Sequence, residues 1–401
     1  MMKLNNRLFY FAIELVNKAV PFLLLPYISS AVGGGVYGKI EIFTTNYIIL
    51  SFLFTFGFEG WMNSNYYKMD LDKFNTVMSS FFIVGFIIFL LLVLIGLFVS
   101  SNFIFLIFVG YSQSLLNLTA IYLRLKSKYI SAGVILLISS ISNALLVFLC
   151  FHYLGANYNA RIDSFLFSAI ICIVLVVMSN FYLEKIKIKI SFEFLNKEII
   201  LFCLPLCLSM VFNWARGNVD KYFISTFIDY KSLGVYAVAF QLASVVNVIG
   251  VILNRTLQAD LLRSMAQGFQ GTKKIICVFL FSILFISLFY FVGMAFSFRY
   301  IFSPEFFTAR SLLFVLIICF VFLSISSFLI NFMLFFNRPN IILFQTVVIT
   351  VVHVAISFIL VKHYALYGAI ATQLFTATFS LCSTILVCYF MKKKKRSGFL
   401  I

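Results

Sequence analysis

The sequence predicts an all-α integral membrane protein with twelve transmembrane helices, arranged as two halves of six. Three observations predict this fold class: the composition, the spacing of the apolar runs and a short repeat half a chain apart. Of the 401 residues, 63% are apolar and 11% are charged, whereas a soluble domain is about half apolar and about a quarter charged. Too few polar side chains are present to cover a surface in water, so the surrounding solvent must be lipid. This composition excludes a cytosolic enzyme, a secreted disulfide scaffold and a disordered tail.

Twelve apolar stretches are long enough to cross the hydrocarbon layer, which takes about 20 residues of helix. The 50 residues from Phe74 to Leu123 carry no charge, and this is room for two spans with a hinge at Ser100-Ser101-Asn102. Lys3 and Arg7 are followed by a long apolar run, and no small-residue cleavage site follows a short apolar segment, so we expect a retained first helix. The predicted spans are 8–32, 40–58, 76–99, 103–123, 130–151, 164–183, 199–227, 233–254, 275–297, 311–336, 341–361 and 366–391.

The distribution of Lys and Arg between loops predicts the orientation of the chain. With a cytoplasmic N-terminus, 21 of the 30 basic residues fall on the inner side and 6 on the outer side, Arg161 among the latter. Cytoplasmic loops of membrane proteins carry such an excess, so both termini are predicted to be cytoplasmic. The same distribution explains the net charge of +17 without a nucleic-acid partner. The basic residues 392–396 are interpreted as a topology anchor at an anionic membrane surface.

A repeated tetrapeptide divides the chain into two halves. Gly35-Val36-Tyr37-Gly38 recurs 199 residues later as Gly234-Val235-Tyr236-Ala237, and each copy follows the first span of one half. Because six spans separate the copies, both halves enter the membrane in the same direction, as in parallel-repeat transporters. The predicted lobes are 1–183 and 199–401, joined by an interfacial linker at 184–198 whose apolar residues alternate. Residues 258–274 are predicted to form a short surface helix and a turn.

Three stretches resemble a known family of membrane proteins. They are VNKAVPFLLLPYISSAVGGGVYGKIEIF at 16–43, LPLCLSMVFNWARGNVDKYFISTFIDYKSLGVYAVAFQLA at 204–243, and YGAIATQL at 367–374. The chain is similar here to the polysaccharide transport branch, the oligosaccharide-lipid flippases, of the multidrug/oligosaccharidyl-lipid/polysaccharide exporter superfamily. The resemblance implies two six-helix lobes around a central cavity and alternating access in a bacterial inner membrane. It also implies an undecaprenyl-diphosphate-linked oligosaccharide as substrate, and a polysaccharide polymerase and a chain-length regulator as candidate partners.

Ionisable residues inside the predicted spans are costly and therefore candidates for function. In the first span Glu14 and Lys18 are spaced i, i+4 in the favourable order. One interpretation is a self-neutralised pair that fixes the helix to its neighbours. The other places the Lys18 ammonium in the cavity, available to a diphosphate.

The seventh span carries Arg216, Asp220 and Lys221, with Asn213 one turn before Arg216. Asp220 and Lys221 are interpreted either as cavity residues or, more simply, as interfacial residues with snorkelling side chains. Arg216 lies deeper, and its guanidinium could hold a phosphate through two parallel hydrogen bonds. The predicted substrate-binding residues are Arg216, Lys18, Asn17, Asn213, Gln241, Asn247 and Lys221, although each amide alone is more typical of a helix–helix hydrogen bond.

Coupling to an ion gradient would need a group that binds and releases a proton or Na⁺. Glu14 and Asp220 are the only deep carboxylates, so they are the predicted coupling residues. His353 could titrate near neutral pH, but a lone histidine within a span is interpreted as a packing residue. The eight cysteines lie in apolar stretches without a CxxC motif, so we expect neither a metal site nor disulfides.

No catalytic motif emerges from the sequence. GxxxxGK[ST] is absent, and the glycines at 33–35 are explained by a tight turn, so neither ATP hydrolysis nor a cofactor is predicted. The favoured function is a flippase rather than an enzyme. Two alternatives stay open: a multidrug or cation antiporter of the same superfamily, for which acidic cavity groups would be expected, and a polysaccharide polymerase, which would need a large outer loop. The longest predicted outer loops, 152–163 and 298–310, are short.

Overall fold

The computed structural model describes residues 2–183, 197–267, 270–336 and 338–396, and this part of the chain is helical throughout apart from short connections. Of the predicted interfacial linker, residues 184–196 lie outside the described residues, whereas Lys197 and Glu198 begin a helix. The helices are α1 (Met2–Thr55), α2 (Phe58–Asn65), α3 (Leu71–Val99), α4 (Ser101–Leu125), α5 (Tyr129–Leu154), α6 (Tyr158–Val177), α7 (Lys197–Phe227), α8 (Tyr230–Ala266), α9 (Thr272–Ile301), α10 (Ala309–Phe335) and α11 (Pro339–Arg396).

Ten of the described helices are long and apolar enough to cross a membrane. The prediction of twelve spans differs because α1 and α11 each contain two predicted spans. Neither helix is regular along its length: Gly33 interrupts α1 with φ 73° and ψ 166°, and Ala365 interrupts α11 with φ 52° and ψ −132°. Both interruptions fall between the spans that the sequence predicts.

The two arms of α1 run in opposite directions. Tyr27 packs on Phe148 near the end of α5, with ring centroids 4.4 Å apart, while Phe43 stacks on Phe165 near the start of α6 at 5.8 Å. A short connection joins α5 to α6, so Phe148 and Phe165 lie at the same end of that helix pair. A straight helix would separate Tyr27 from Phe43 by about 24 Å, and the chain must therefore turn back near Gly33.

The two arms of α11 also form a helical hairpin. Gln345 Nε2 donates to Thr384 Oγ1 at 2.7 Å, and His353 Nδ1 lies 2.9 Å from Thr376 Oγ1. From the first contact to the second, the residue number rises from 345 to 353 in the first arm and falls from 384 to 376 in the second arm. The two arms are therefore antiparallel. Ala365 lies at the turn between them.

The α3–α4 boundary confirms the predicted hinge. Helix α3 ends at Val99, Ser100 is extended, and α4 begins at Ser101. The Ser100 side chain accepts a hydrogen bond from Phe103 N at 3.3 Å, which satisfies one of the free N–H groups of a helix start.

A short helix that the sequence did not predict follows α1. The second predicted span ends early, at Thr55, because Phe56 and Gly57 adopt positive φ values of 47° and 71°. A Cβ at Gly57 would lie 2.6 Å from the Cys203 carbonyl oxygen of α7, so close packing favours glycine at this position. The buried face of α2, including Trp61, packs into an aromatic core with α3 and α4.

The surface helix predicted within 258–274 is not a separate helix, whereas the turn predicted after it is confirmed at Gly271, which has φ 78° just before α9. Helix α8 continues to Ala266 with Leu261 and Met265 fully buried, and α9 already begins at Thr272. The sequence between 251 and 266 contains no glycine or proline. Without such a stop signal the helix continues where the hydrophobic run becomes polar. The membrane-spanning helix therefore extends beyond its apolar segment.

The chain separates into two compact units. The first contains Met1–Val32 and Lys39–Trp214, and the second contains Gly33–Gly38 and Ala215–Ile401, for the residues described in each. In the first unit, Trp61 stacks on Phe58 and Phe74 at 5.0 and 5.6 Å. In the second, Phe279 of α9 stacks on Phe328 of α10 at 4.0 Å. The lobe limits 1–183 and 199–401 and the linker between them stay a prediction.

Candidate functional site

A buried carboxylate lies at the centre of the second unit. Asp220 of α7 is 1% exposed, and Lys221 beside it is 6% exposed. Both side chains are therefore packed inside the protein and do not snorkel, while their depth in the membrane stays a prediction. Burying a carboxylate in an apolar interior is costly unless hydrogen bonds and opposite charge compensate for the lost water.

Three side chains donate hydrogen bonds to this carboxylate. The Tyr236 hydroxyl of α8 donates to Oδ2 at 3.1 Å, and Gln373 Nε2 of α11 donates to the same oxygen at 2.7 Å. The Ser357 hydroxyl, from the first arm of α11, donates to Oδ1. The carboxylate thus ties together α7, α8 and both arms of α11.

A histidine completes the cluster. His353 is fully buried, its Nε2 lies 3.2 Å from Asp220 Oδ1, and its Nδ1 lies 2.9 Å from Thr376 Oγ1. His353 is fully buried, as expected of a packing residue, but it is not isolated, because it faces the Asp220 carboxylate. Ser357 lies one helical turn after His353, and this i, i+4 polar pair within an apolar span is the signal in the sequence that points to the cluster.

The geometry of this cluster suits the binding and release of one proton. The Asp220 carboxylate oxygen and the His353 imidazole nitrogen are 3.2 Å apart, a distance at which a proton can pass between two groups. Adding a proton changes the net charge of a fully buried site by one unit, and that change is expensive in a low-dielectric interior unless the surrounding dipoles adjust. We refer to Asp220, His353, Tyr236, Ser357 and Gln373 below as the Asp220 cluster.

Lys221 and Arg216 lie on the same helix as Asp220 but differ in environment. Lys221 Nζ lies 5.5 Å from the ring centroid of Phe240 in α8, a distance compatible with a cation–π interaction. Arg216, one turn before Asp220, is partly exposed.

The predicted pair in α1 is present. Lys18 Nζ lies 3.5 Å from Glu14 Oε1, with side-chain exposures of 39% and 19%. Next to it, Asn17 accepts a hydrogen bond from the Ser140 hydroxyl of α5. All three side chains belong to the first unit.

The remaining predicted amides differ in their surroundings. Asn213 is exposed and donates to Ser209 O at 2.9 Å, within its own helix. Gln241 accepts a hydrogen bond from the Tyr37 hydroxyl at 2.9 Å. Asn247 is exposed on α8.

Arg161 does not lie in an outer loop as the sequence analysis assumed. Helix α6 begins at Tyr158 rather than at residue 164, and Arg161 in its first turns is 7% exposed. Its guanidinium lies 3.7 Å from the Phe165 ring centroid, and Nη1 donates to Ser164 Oγ at 2.8 Å. This arginine is a packed residue that joins α6 to Asn143 of α5, 3.4 Å away.

Among the residues that the structure describes, no three His, Cys, Asp or Glu side chains group so as to hold a metal ion.

Comparison with known proteins places this fold. No family model matches the sequence. Protein 1 of the Lsg locus of Haemophilus influenzae is 27% identical over 266 residues, which are 63% of this chain and 64% of that protein. The chain thus matches less than two thirds of the length of this curated relative.

Solved structures are similar over nearly the whole chain. The lipid II flippase MurJ, in an inward closed conformation, has a TM-score of 0.75 at 13% identity, covering 95% of this chain and 87% of MurJ. An inward-facing multidrug resistance transporter of the MATE family, from the MOP superfamily, has a TM-score of 0.72 at 14% identity, covering 94% of this chain and 96% of the transporter. An outward-facing MATE transporter has a TM-score of 0.62 at 14% identity, covering 96% and 94%. The chain therefore has the fold of the MOP-superfamily transporters, the superfamily that its sequence resembles.

Proposed function

We propose that this protein is a flippase that carries undecaprenyl-diphosphate-linked oligosaccharide repeat units, of the O-antigen or capsule type, across the bacterial inner membrane by alternating access. The observation that carries the proposal is the fold, which a lipid II flippase shares over 95% of this chain. A lipid-linked substrate is amphiphilic and carries phosphate, and the chain offers cationic side chains within its spans.

Arg216 is the residue we propose for substrate phosphate. It lies on the spanning helix α7 and is partly exposed, whereas its neighbour Lys221 is buried against Phe240. A guanidinium stays charged at any physiological pH and matches two phosphate oxygens at once. Lys18 is 39% exposed although it pairs with Glu14, so it is proposed as a second, weaker contact.

We propose twelve membrane crossings with both termini in the cytoplasm. The apolar segments of α1 and α11 contain 43 and 52 residues, and straight helices of that length would be about 65 and about 78 Å long. The hydrocarbon layer is about 30 Å thick. The interruptions at Gly33 and Ala365 support two crossings in each helix.

We propose that transport is coupled to protons through the Asp220 cluster. A carboxylate and an imidazole share one buried site, and the hydrogen bonds to that site come from α8 and both arms of α11. A change of one charge there alters the interactions of several helices together, which is the requirement for an ion that drives a conformational change.

A cation antiporter of the same superfamily is the second candidate. The deep carboxylate Asp220 favours it, because cationic substrates are attracted by acidic groups, and the MATE fold matches with a TM-score of 0.72. The embedded cations Arg216, Lys18 and Lys221 favour the flippase.

A deletion strain separates these functions. We expect loss of surface polysaccharide, with intact lipid-linked repeat units accumulating on the cytoplasmic leaflet, where an added membrane-impermeant glycosidase cannot reach them. Single repeat units displayed on the outside would instead indicate a polymerase. Unchanged polysaccharide together with new sensitivity to cationic dyes would establish the antiporter and reject the flippase.

A further inference from the structure

A cavity of about 520 Å³ opens in the first unit, at the start of α3 and α7. Helix α2 contributes Trp61, α3 contributes Lys73, and α7 contributes Glu198 and Phe202; Lys68 comes from the turn between α2 and α3. None of these side chains belongs to the Asp220 cluster or to the proposed substrate contacts. The cavity therefore requires an explanation of its own.

The charge in this cavity is positive. Two ammonium groups, Lys68 and Lys73, line it together with one carboxylate, Glu198. The lysines are five residues apart in sequence and converge because the chain turns between α2 and α3. The first turns of α3 and α7 add N–H groups with partial positive charge. An anion with at least one full negative charge suits this electrostatic environment.

The rest of the lining is apolar and continues onto the helix surface. Trp61 is 4% exposed and Val77 is 1% exposed, and they form the inner wall. On α7 the exposed apolar side chains begin with Leu201 and Phe202, 57% and 42% exposed, and continue through Leu208. A ligand with a charged head in the cavity and a hydrocarbon tail along α7 would satisfy both surfaces.

The position along the helices points to a membrane phospholipid. Lys73 lies in the first turn of α3 and Glu198 in the first turn of α7, and both helices have the length and hydropathy of membrane spans. The cavity lies where both candidate membrane spans begin, so we expect it at the depth of the lipid head groups, where basic pockets between helices recognise anionic lipids. A phospholipid is also present at high concentration in that layer, so even a weak site is filled.

We propose that this cavity binds the phosphate head group of an anionic phospholipid such as phosphatidylglycerol. Lys68 and Lys73 bind the phosphate, Trp61 packs against the head group or the start of the chains, and the acyl chains lie along the exposed face of α7. Glu198 opposes binding by like-charge repulsion and limits the affinity. This inference is independent of the transported substrate.

Trp61 makes the site measurable by fluorescence. The chain contains two tryptophans, so Trp214→Phe leaves Trp61 as the single reporter inside the cavity. The purified full-length variant is reconstituted into vesicles of phosphatidylcholine that contain increasing fractions of dibrominated phosphatidylglycerol. Matched vesicles carry the same fraction of dibrominated phosphatidylcholine, and bromine quenches tryptophan only at contact distance.

We expect brominated phosphatidylglycerol to quench Trp61 at lower mole fractions than brominated phosphatidylcholine. In the same background, Lys68→Gln with Lys73→Gln should reduce the preference for phosphatidylglycerol about tenfold or more, since each lysine near an anionic lipid contributes about one kcal/mol. Glu198→Gln should increase the preference. Lys273→Gln with Lys274→Gln is the matched control, because these exposed lysines begin α9 and do not line the cavity.

Equal quenching by the two brominated lipids would overturn the proposal. An equal loss of preference in the Lys273/Lys274 control would also overturn it, because the effect would then come from general surface charge. Unbrominated undecaprenyl phosphate is then added as a competitor, to test which phosphate-bearing lipid the cavity prefers. If it relieves the quenching of Trp61 at mole fractions well below that of phosphatidylglycerol, the cavity binds the polyprenyl carrier and the phospholipid is rejected.

Discussion

At the scale of single residues, the organising feature of the second unit is Asp220. Its carboxylate is 1% exposed, yet it accepts hydrogen bonds from Tyr236 at 3.1 Å and Gln373 at 2.7 Å and faces His353 at 3.2 Å. This number of partners is what a buried charge requires, because each lost interaction with water must be replaced. The number of protons that the carboxylate and the imidazole hold together decides whether the site is neutral or charged.

The first prediction concerns Asp220→Asn. An amide of the same shape keeps the packing and part of the hydrogen bonding but cannot bind a proton, so the variant should fold at normal abundance and lose gradient-dependent transport. Complementation of a deletion strain measures this, with membrane abundance determined in parallel. Asp72→Asn is the control, since Asp72 is exposed in the first turn of α3. Full complementation by Asp220→Asn would remove the Asp220 cluster from the coupling mechanism.

The second prediction concerns His353. His353→Ala leaves the buried carboxylate without its imidazole and should lower the stability by about 3 kcal/mol, the usual cost of removing one partner of a buried pair. The double variant with Asp220→Asn should recover most of that loss, because no charge is then left behind. Thermal unfolding in one detergent measures both. Additive losses in the double variant would show that the two side chains do not interact.

The sequence identified part of this cluster and missed the rest for a physical reason. Asp220 stands out because a carboxylate within an apolar span is costly wherever it lies. His353, Ser357 and Gln373 are polar side chains of a kind that is common in helix–helix contacts. Only the folded chain shows that the two arms of α11 bring them to one carboxylate.

At the scale of elements, the two interrupted helices are the most informative. The sequence predicted a break between residues 361 and 366, and the structure confirms it at Ala365. The conformation of that break could not be predicted, because Lys362-His363-Tyr364-Ala365 contains neither glycine nor proline. In α1 the three glycines at 33–35 gave the position directly, since Gly33 adopts φ 73°. The short helix α2 was missed because it is amphipathic and too short to register as a span.

The third prediction tests the hairpin of α11 with two substitutions of opposite sign. Ala365→Gly should raise stability by about 1 kcal/mol, because φ 52° with ψ −132° is a conformation that strains a residue with a Cβ. Gly368→Ala should lower stability by about 2 kcal/mol or more, since a Cβ there would overlap the Leu360 carbonyl of the other arm.

Gly293→Ala is the matched control for the hairpin, because a Cβ at Gly293 meets nothing within 4 Å. Thermal midpoints of the three variants and the parent are compared in the same detergent. Destabilisation by Ala365→Gly, or a Gly368→Ala variant as stable as the parent, would contradict the tight reversal of the chain at this position.

At the scale of the whole molecule, composition and periodicity were sufficient for the fold class and for most helices. They could not supply the ends of helices such as α8, where a polar sequence continues as helix beyond the apolar run. Nor could they give the partition into compact units, in which residues 33–38 pack with the second unit although their neighbours on both sides belong to the first. A Cβ on Gly38 would overlap the Tyr230 carbonyl. Such a close approach of two backbone segments cannot be predicted from a hydropathy pattern.

Proton-coupled flipping is tested most directly by measuring translocation of a lipid-linked oligosaccharide by the purified protein. Vesicles containing the protein and a fluorescent undecaprenyl-diphosphate oligosaccharide are given a proton gradient, and the fraction of probe in each leaflet is read with an impermeant quencher. Proton-coupled flipping predicts net movement of the probe that follows the gradient, is abolished by Asp220→Asn and is retained in Asp72→Asn. An unchanged leaflet distribution, with gradient-driven uptake of a cationic dye by the same vesicles, would contradict it.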